Sequence, residues 1–213
     1  MGNLYATLDE ARRYLGLSGE QTGDDDLLLL LLGAASRLIE GYAGRRFYPQ
    51  RATRRYAVSD PLVLLLDDDL LALHSLTNSD GQPLPLDAVH LHPAGSVTSS
   101  LTLDRTRARF VHAGDPLEAI AVEGTWGYHP AWASAWQDSG DAVQDDPLSA
   151  GATTLTVDDV SAPLPGGYGR RFAVGQLLRI GEEYLYVLAV DEENNALTVA
   201  RAVNGTTATS HAR

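Results

Sequence analysis

The chain contains no cysteine among its 213 residues, and it contains no lysine either. Without cysteine, disulfides, thiolate-ligated metals and cysteine nucleophiles are all excluded. Without lysine, a nucleotide-binding phosphate loop is excluded, because that loop needs a lysine after its glycines. The glycines Gly166, Gly167 and Gly169 therefore predict only the tip of a loop. A serine nucleophile elbow is absent as well. Paired catalytic carboxylates stay open in a chain with 28 acids, but none stands apart from turns and polar faces, so the sequence predicts a protein that is not an enzyme.

A segment long enough to cross a membrane is also missing. The run of six leucines from Leu27 to Leu32 is far shorter than the roughly 20 apolar residues that span a bilayer, and Arg37 and Glu40 interrupt the remainder of its helix. The first residues show no basic region followed by an apolar stretch, so a secretory signal is not expected. The sequence therefore predicts a soluble protein without a membrane partner.

Positive charge is scarce and unevenly distributed. Residues 1–56 carry eight arginines and seven acids, whereas residues 57–213 carry eight arginines and twenty-one acids. The later residues thus have a charge of −13 within a total of −12. Neutralisation of phosphates by cations dominates the affinity of proteins for nucleic acid. The acidic later part argues against a protein that wraps DNA, although DNA can still pass nearby.

The leucine run is the most informative feature that is present. Successive helical residues are rotated by about 100°, so six leucines in a row point in every direction around a helix. Because a large exposed apolar surface is unusual on a soluble monomer, we expect copies of the same chain to cover part of this helix. The predicted oligomer interface consists of Leu27, Leu28, Leu30, Leu31, Leu32 and Ala35. The alternative is a helical hairpin buried inside one subunit, without a role in assembly.

Local signals predict two helices near the start of the chain. Thr7 and Glu10 form a capping box for a helix over residues 8–15. The three acids before the leucines begin a second helix over residues 24–43, since negative charge is favourable at a helix N-terminus. Together these helices predict an N-terminal hairpin.

The remaining sequence predicts β-structure, and the fold class is therefore α+β. Short strand-like segments separated by turn residues follow the hairpin, which is expected to pack with this β-rich middle section. Residues 1–128 are predicted as one domain and residues 129–151 as a linker. Residues 152–213 are predicted as a small C-terminal all-β domain, either a barrel or a sandwich.

Five arginines lie close together in the sequence, just after the second predicted helix. They are Arg45, Arg46, Arg51, Arg54 and Arg55. A guanidinium pairs bidentately with a carboxylate, so this arginine cluster is suited to an acidic surface on a partner. Pairing within the chain, or a solvated surface, is an equally open interpretation.

Two other groups raise the question of a metal site. The acids Asp67–Asp69 lack the alternating spacing and the central glycine of a calcium loop, so they predict a capped turn or an acidic surface. His90 and His92 share a face of a predicted strand, but the sequence places no third ligand beside them. We expect a solvated histidine pair and no metal or other cofactor.

Two parts of the sequence resemble proteins from the neck of long-tailed bacteriophages. The first comprises YATLDEARRYLG, AASRLIEGYAGRRFYP, RRYAV, LLLDDDLLALHSLTN and VEGTWGY, and it covers roughly residues 4–128. In this order the segments resemble the head-to-tail connector family, also called adaptor or head completion proteins. The second runs from VGQLLRIGEEYLYVLAV through LTVARAVNGTTATSH and is similar to a β module at the C-termini of phage neck and tail proteins. That module commonly has glycine at the position of Ala202.

The resemblance implies a structural protein of the virion neck that is made in the host cytoplasm. It implies a homo-oligomeric ring, commonly of about twelve copies related by rotational symmetry. The ring would dock on the portal protein through the arginine cluster, extend the DNA channel, and offer a platform to the tail or a tail-completion protein. Double-stranded DNA is expected to pass through the lumen without specific binding, because an acidic lumen would repel the negatively charged DNA phosphates.

The aromatic residues leave a second class of function open. Trp126, Tyr128, Trp132 and Trp136 are predicted as core or interface aromatics. The alternative is a platform on which sugars stack, in a tail-tip or fibre-associated carbohydrate-binding protein. Ring assembly and portal binding without sugar affinity would separate the adaptor from this alternative.

Overall fold

The computed structural model describes residues 3–17, 21–95, 97–166 and 169–212. Over these residues the chain forms two α-helices and two antiparallel sheets, which confirms the mixed α+β class with a β-rich body. The elements are α1 (Leu8–Tyr14), α2 (Asp25–Ala43), β1 (Gln50–Tyr56), β2 (Val63–Thr77), β3 (Val89–His92), β4 (Thr98–Leu103), β5 (Ile120–Trp126), β6 (Thr154–Thr156), β7 (Leu177–Ile180), β8 (Glu183–Asp191) and β9 (Ala196–Ala200).

The chain divides into two compact units. Residues 44–136 form one of them, here called the middle unit. Residues 1–43 and 137–213 together form the other, here called the terminal unit. The sequence predicts a different division, in which residues 1–128 form one domain and residues 129–151 a linker. In the structure α1 and α2 belong to the same unit as the C-terminal sheet.

The middle unit contains a sheet with strand order β1-β5-β2-β4-β3. β2 pairs with β4 through its first residues and with β5 through its later residues, and its register shifts between Leu65 and Leu70. The core of the sheet includes Leu70, Leu101 and Trp126, all of which are fully buried. β2 therefore links the two halves of the sheet, and its register with β5 also shifts between Leu70 and Ser75. In its pairing with β4 the irregular segment lies between Leu65 and Leu70.

That irregular segment contains Asp67–Asp69, where the sequence predicts a turn. The turn is wrong, because these residues continue β2, whereas the alternative prediction, an acidic surface, holds for Asp67, whose side chain is 76% exposed. Each carboxylate has a guanidinium partner within the middle unit: Asp69 pairs with Arg45, and Asp67 and Asp68 both pair with Arg54. These partners compensate the negative charges that otherwise disfavour a strand.

The terminal unit begins with α1, whose start is set by its cap. The hydroxyl of Thr7 accepts a hydrogen bond from the N–H of Glu10 at 3.2 Å, and the Glu10 carboxylate accepts one from the N–H of Thr7 at 2.7 Å. Both bonds satisfy donors that a helix N-terminus leaves open. An ion pair of 3.3 Å between Arg12 and Asp25 connects α1 to α2.

The sheet of the terminal unit has the strand order β6-β9-β8-β7. Leu155, Leu185 and Leu197 lie in its core and are at most 2% exposed. Three contacts join this part of the chain to the first residues. The side chains of Asn3 and Asn204 exchange hydrogen bonds of 2.8 and 2.9 Å, and the N–H of Leu8 donates to the carbonyl of Val174 at 3.2 Å. Because Asn3 and Asn204 are 201 positions apart, no local pattern reveals this arrangement.

A buried carboxylate organises the last residues of the terminal unit. The side chain of Glu183 is 1% exposed and accepts hydrogen bonds from Nε and Nη2 of Arg201 at 2.6 and 2.8 Å. The N–H groups of Ala202 and Thr209 donate to it at 3.1 and 3.2 Å, and Nε2 of His211 lies 2.8 Å away. Glu183 thereby fixes the segment after β9 against the start of β8.

Candidate functional site

The inner face of α2 contacts the segment that precedes α1. Ser36 is 2% exposed, and its hydroxyl donates to the carbonyl of Leu32 at 2.8 Å and accepts from the N–H of Tyr5 at 3.1 Å. The hydroxyl of Tyr5 in turn donates to the carboxylate of Glu40 at 2.5 Å. These polar contacts fix the rotation of α2 about its axis, and so determine which of its residues face outward.

The outer face of α2 is apolar and exposed. It consists of Leu27, Leu30, Leu31, Leu38, Ile39 and Tyr42, which are between 47% and 95% exposed. Helical residues three, four and seven positions apart lie on one side of a helix. The described residues of the chain leave these side chains uncovered. We call this surface the apolar face.

The apolar face overlaps only in part with the oligomer interface that the sequence predicts. Leu27, Leu30, Leu31 and Ala35 are exposed, whereas Leu28 and Leu32 are partly buried within the terminal unit. The sequence analysis missed Leu38, Ile39 and Tyr42. The spacing from Leu31 to Leu38 and from Leu38 to Tyr42 is the signal that would have found two of them.

The arginine cluster is largely paired within the middle unit. The carboxylate of Asp68 lies between Arg46 and Arg54, with nitrogen–oxygen distances of 2.7 and 2.6 Å. Burial works to raise the pKa of Asp68, but the hydrogen bonds from Arg54 and Arg46 outweigh it and hold the pKa below its usual value. The guanidinium carbon of Arg54 also lies 4.2 Å from the ring centroid of Trp126, a cation–π contact.

The other three arginines of the cluster differ in their partners. Arg45 pairs with Asp69 at 3.0 Å, and Arg51 lies 3.6 Å from Glu123. Arg55 is exposed and donates to a backbone carbonyl at 3.4 Å. Pairing within the chain, the interpretation that the sequence left open, thus holds for four of the five arginines.

The four aromatic residues have different surroundings. Trp126 is fully buried, while Trp132 and Trp136 are partly exposed. The rings of Trp132 and Trp136 meet edge to face, with centroids 6.1 Å apart, so they do not form one flat stacking surface. The ring of Tyr128 lies beneath the guanidinium of Arg45, whose central carbon is 4.4 Å from the ring centroid.

His90 and His92 are both exposed on β3. Within the part of the chain that the structure describes, no three His, Asp or Glu side chains are grouped so as to hold a metal ion. Gly167 lies outside the described residues. Over the described ranges no helix has both the length and the apolar character needed to cross a membrane.

Comparisons with known proteins add no family to these observations. No protein-family model, no curated protein sequence and no solved structure matches the chain.

Proposed function

We propose that this protein is a structural component of a phage neck, a ring-forming head-to-tail adaptor. The ring docks on the portal protein, extends the DNA channel and provides the platform to which a tail or tail-completion protein attaches. The apolar face of α2 carries the proposal, because an uncovered surface of this kind on a small soluble protein marks an association site. The resemblance of residues 4–128 to the connector family suggests which assembly it belongs to.

The energetics of the apolar face favour an assembly with several contacts. Its five aliphatic side chains are between 47% and 74% exposed. Covering them contributes roughly 6 kcal/mol, given about 1.5 to 3 kcal/mol per fully buried side chain. Association itself costs about 4 to 15 kcal/mol. A pair of subunits that covers both faces gains about 12 kcal/mol, which this cost can cancel, whereas a subunit in a closed ring has two neighbours and gains a further contact on the portal.

The distribution of charge supports a channel through which DNA passes without specific binding. Most acids lie in residues 57–213, and an acidic lumen repels DNA phosphates. Four arginines of the cluster already have carboxylate partners. Arg55, which has no carboxylate partner among the described residues, is the member most available to an acidic portal surface.

The two ends of the chain receive different roles in this proposal. The N-terminal helical pair supplies the contacts between neighbouring subunits. The C-terminal β domain, a small barrel or sandwich, contacts the next neck component or the capsid. Its similarity to modules of other phage neck and tail proteins supports this role.

The experiment changes the apolar face and leaves the inner face of α2 intact. A double variant, Leu31→Glu with Leu38→Glu, places two charges where a neighbouring subunit would pack. We expect the unaltered chain to form rings on the portal protein, visible by electron microscopy, and the double variant to remain monomeric. Leu117→Glu introduces the same charge at a site of the middle unit that is 66% exposed, and it should assemble normally.

Two results would count against the proposal. Ring formation by the double variant at the same concentration as the unaltered chain would remove the apolar face as the contact. Failure of the unaltered chain to form rings, with or without the portal protein, would refute the adaptor function. Circular dichroism of each variant checks that the helices persist.

A further inference from the structure

Asn204 and Gly205 lie in the turn that follows β9, in the terminal unit. Asn204 is the only one of the five asparagines that precedes a glycine. Glycine has no Cβ atom, so its backbone nitrogen can approach the side chain of the preceding residue without steric hindrance. These two residues therefore carry the groups for spontaneous deamidation, a reaction within the chain that needs only water.

The reaction joins two groups of the chain and releases ammonia. The backbone nitrogen of Gly205 attacks Cγ of Asn204, and the new C–N bond closes a five-membered succinimide ring. The Cγ–Nδ2 bond breaks, and Nδ2 leaves as ammonia together with the proton of the Gly205 N–H. Water then opens the ring at either of its two carbonyl carbons, which leaves aspartate or isoaspartate at position 204.

The fold holds the two reacting groups apart. The side-chain amide of Asn204 is partly buried, and it exchanges hydrogen bonds of 2.8 and 2.9 Å with the side-chain amide of Asn3. The φ and ψ of Asn204 are 55° and 35°, a left-handed conformation that asparagine tolerates better than most residues. At this ψ the nitrogen of Gly205 lies on the opposite side of the Cα–C bond from Cβ, so the ring cannot close. Deamidation therefore requires the turn to rearrange and the amide of Asn204 to leave Asn3.

We propose that Asn204 is a deamidation site and that its contact with Asn3 sets the rate of the modification. Native proteins open locally at a lower cost in free energy than complete unfolding. The folded chain therefore reaches the reactive conformation when this one contact opens. The reaction does not depend on ring assembly.

Each product of the reaction weakens the contact between the turn and Asn3. An aspartate at position 204 has no amide that could donate to Oδ1 of Asn3, so one of the two hydrogen bonds is lost. Isoaspartate lengthens the backbone of the turn just before Thr206, whose hydroxyl accepts a hydrogen bond from the N–H of Tyr184 at 3.0 Å. The modification therefore loosens the segment before α1 from the rest of the terminal unit.

Peptide mapping by mass spectrometry measures the reaction directly. Because the chain has no lysine, trypsin cleaves only after arginine, and cleavage after Arg201 yields residues 202–213 with Asn204 as their only asparagine. Deamidation replaces NH2 by OH and so raises the mass of this peptide. At one mildly alkaline pH, we expect Asn204 to react at least tenfold faster in denaturing urea than in the folded chain. In urea it should also react several-fold faster than each of the other four asparagines.

Variants test whether the contact with Asn3 sets the rate in the folded chain. Asn3→Ala removes the partner amide, and we expect Asn204 to react at least fivefold faster in this variant than in the unaltered chain. Asn3→Asp keeps an acceptor for Nδ2 of Asn204 and should give an intermediate rate. Asn194→Ala removes an exposed asparagine of the same unit and should leave the rate unchanged. Val157→Ala lowers stability through the core of the sheet instead and should accelerate the reaction less than Asn3→Ala does.

Urea denaturation shows that each variant is folded under the conditions of incubation. Equal rates at Asn204 in the unaltered chain and in Asn3→Ala would overturn the proposal. Equal acceleration by Val157→Ala and Asn3→Ala would also overturn it, because the reaction would then proceed through general unfolding. A rate at Asn204 in urea no higher than at the other asparagines would exclude it as a deamidation site.

Discussion

At the scale of single residues, Glu183 shows how much one buried charge can determine. Its carboxylate is enclosed by N–H donors from Arg201, Ala202 and Thr209 and by the ring of His211. Removing one member of a buried ion pair leaves the other charged and without compensation. Without Glu183, the guanidinium of Arg201 would carry an uncompensated buried charge, since its side chain is only 6% exposed.

We therefore expect Glu183→Gln to lower the free energy of unfolding by about 3 to 5 kcal/mol. Urea denaturation followed by circular dichroism measures this change. The neighbouring Glu182 is a matched control, because its side chain is 72% exposed and pairs with Arg179 at the surface. Glu182→Gln should change the free energy by less than about 1 kcal/mol. A loss of similar size in both variants would contradict the role assigned to Glu183.

Glu183 also predicts how stability depends on pH. Burial alone would raise the pKa of its carboxyl group, but the hydrogen bonds from Arg201 and His211 outweigh it and lower the pKa from 4.5 to about 2. Because the pKa of Glu183 is lower in the folded state than in the unfolded state, its ionised carboxylate stabilises the fold at a pH above the unfolded-state pKa. This contribution is lost as the pH falls from about 4.5 to about 2. It amounts to about 3 kcal/mol. Thermal unfolding from pH 7 to pH 2 should show this loss, and Glu183→Gln should show a shallower decline.

Ala202 is a residue in an unfavourable backbone conformation. Its φ and ψ are 53° and 37°, the left-handed region that side-chain-bearing residues enter at a cost of about 1 to 2 kcal/mol. Ala202→Gly should therefore raise the free energy of unfolding by about 1 kcal/mol. Ala200→Gly, in the strand β9, should lower it instead, because glycine weakens a strand. The two midpoints of urea denaturation should move in opposite directions, and a stabilisation by both would exclude this explanation.

At the scale of elements, α1 depends on its cap because it is only seven residues long. Short helices are marginal without capping and packing. Thr7→Ala removes the hydroxyl that accepts from Glu10, and we expect it to lower the free energy of unfolding by about 1 kcal/mol. Thr207→Ala, at an exposed position outside any helix, should leave it unchanged within about 0.5 kcal/mol. Equal midpoints of thermal unfolding for the two variants would show that the cap contributes nothing.

The elements also show what a sequence reveals and what it conceals. α1 starts directly after the cap at Thr7, and α2 covers the leucine run, because both signals are local. β2 is different. Its acidic segment Asp67–Asp69 reads as a turn until the guanidiniums of Arg45 and Arg54 are known to lie beside it. Ion pairs with these distant arginines compensate the cost of placing three acids in a strand, and the local sequence alone does not show those pairs.

At the candidate site, too, local sequence predicts one part of the arrangement and distant contacts determine the rest. The sequence indicated that α2 has more apolar surface than its own subunit covers, since that depends on the number of leucines. The predicted interface nevertheless included Leu28 and Leu32, which are partly buried in the structure. The rotation of α2 is set by contacts of Ser36 and Glu40 with Tyr5, and no periodic signal within six identical residues specifies it.

At the scale of the whole molecule, the division into units predicts how fragments behave. We expect residues 44–136 to fold alone with a cooperative thermal transition, because they contain a complete sheet and core. A fragment of residues 1–128 should retain much less helix than the full chain by circular dichroism. It lacks Val174 and Asn204, which contact the first residues of the terminal unit. A helical signal in that fragment equal to the one of the full chain would contradict this division.

The reciprocal hydrogen bonds between Asn3 and Asn204 have a consequence for synthesis. On the ribosome, α2 emerges well before the strands that complete its unit, and the middle unit emerges in between. Contacts so distant in sequence form slowly, and exposed apolar surface in an unfinished chain promotes aggregation. We therefore expect the terminal unit to be completed only after translation has supplied the residues around Asn204.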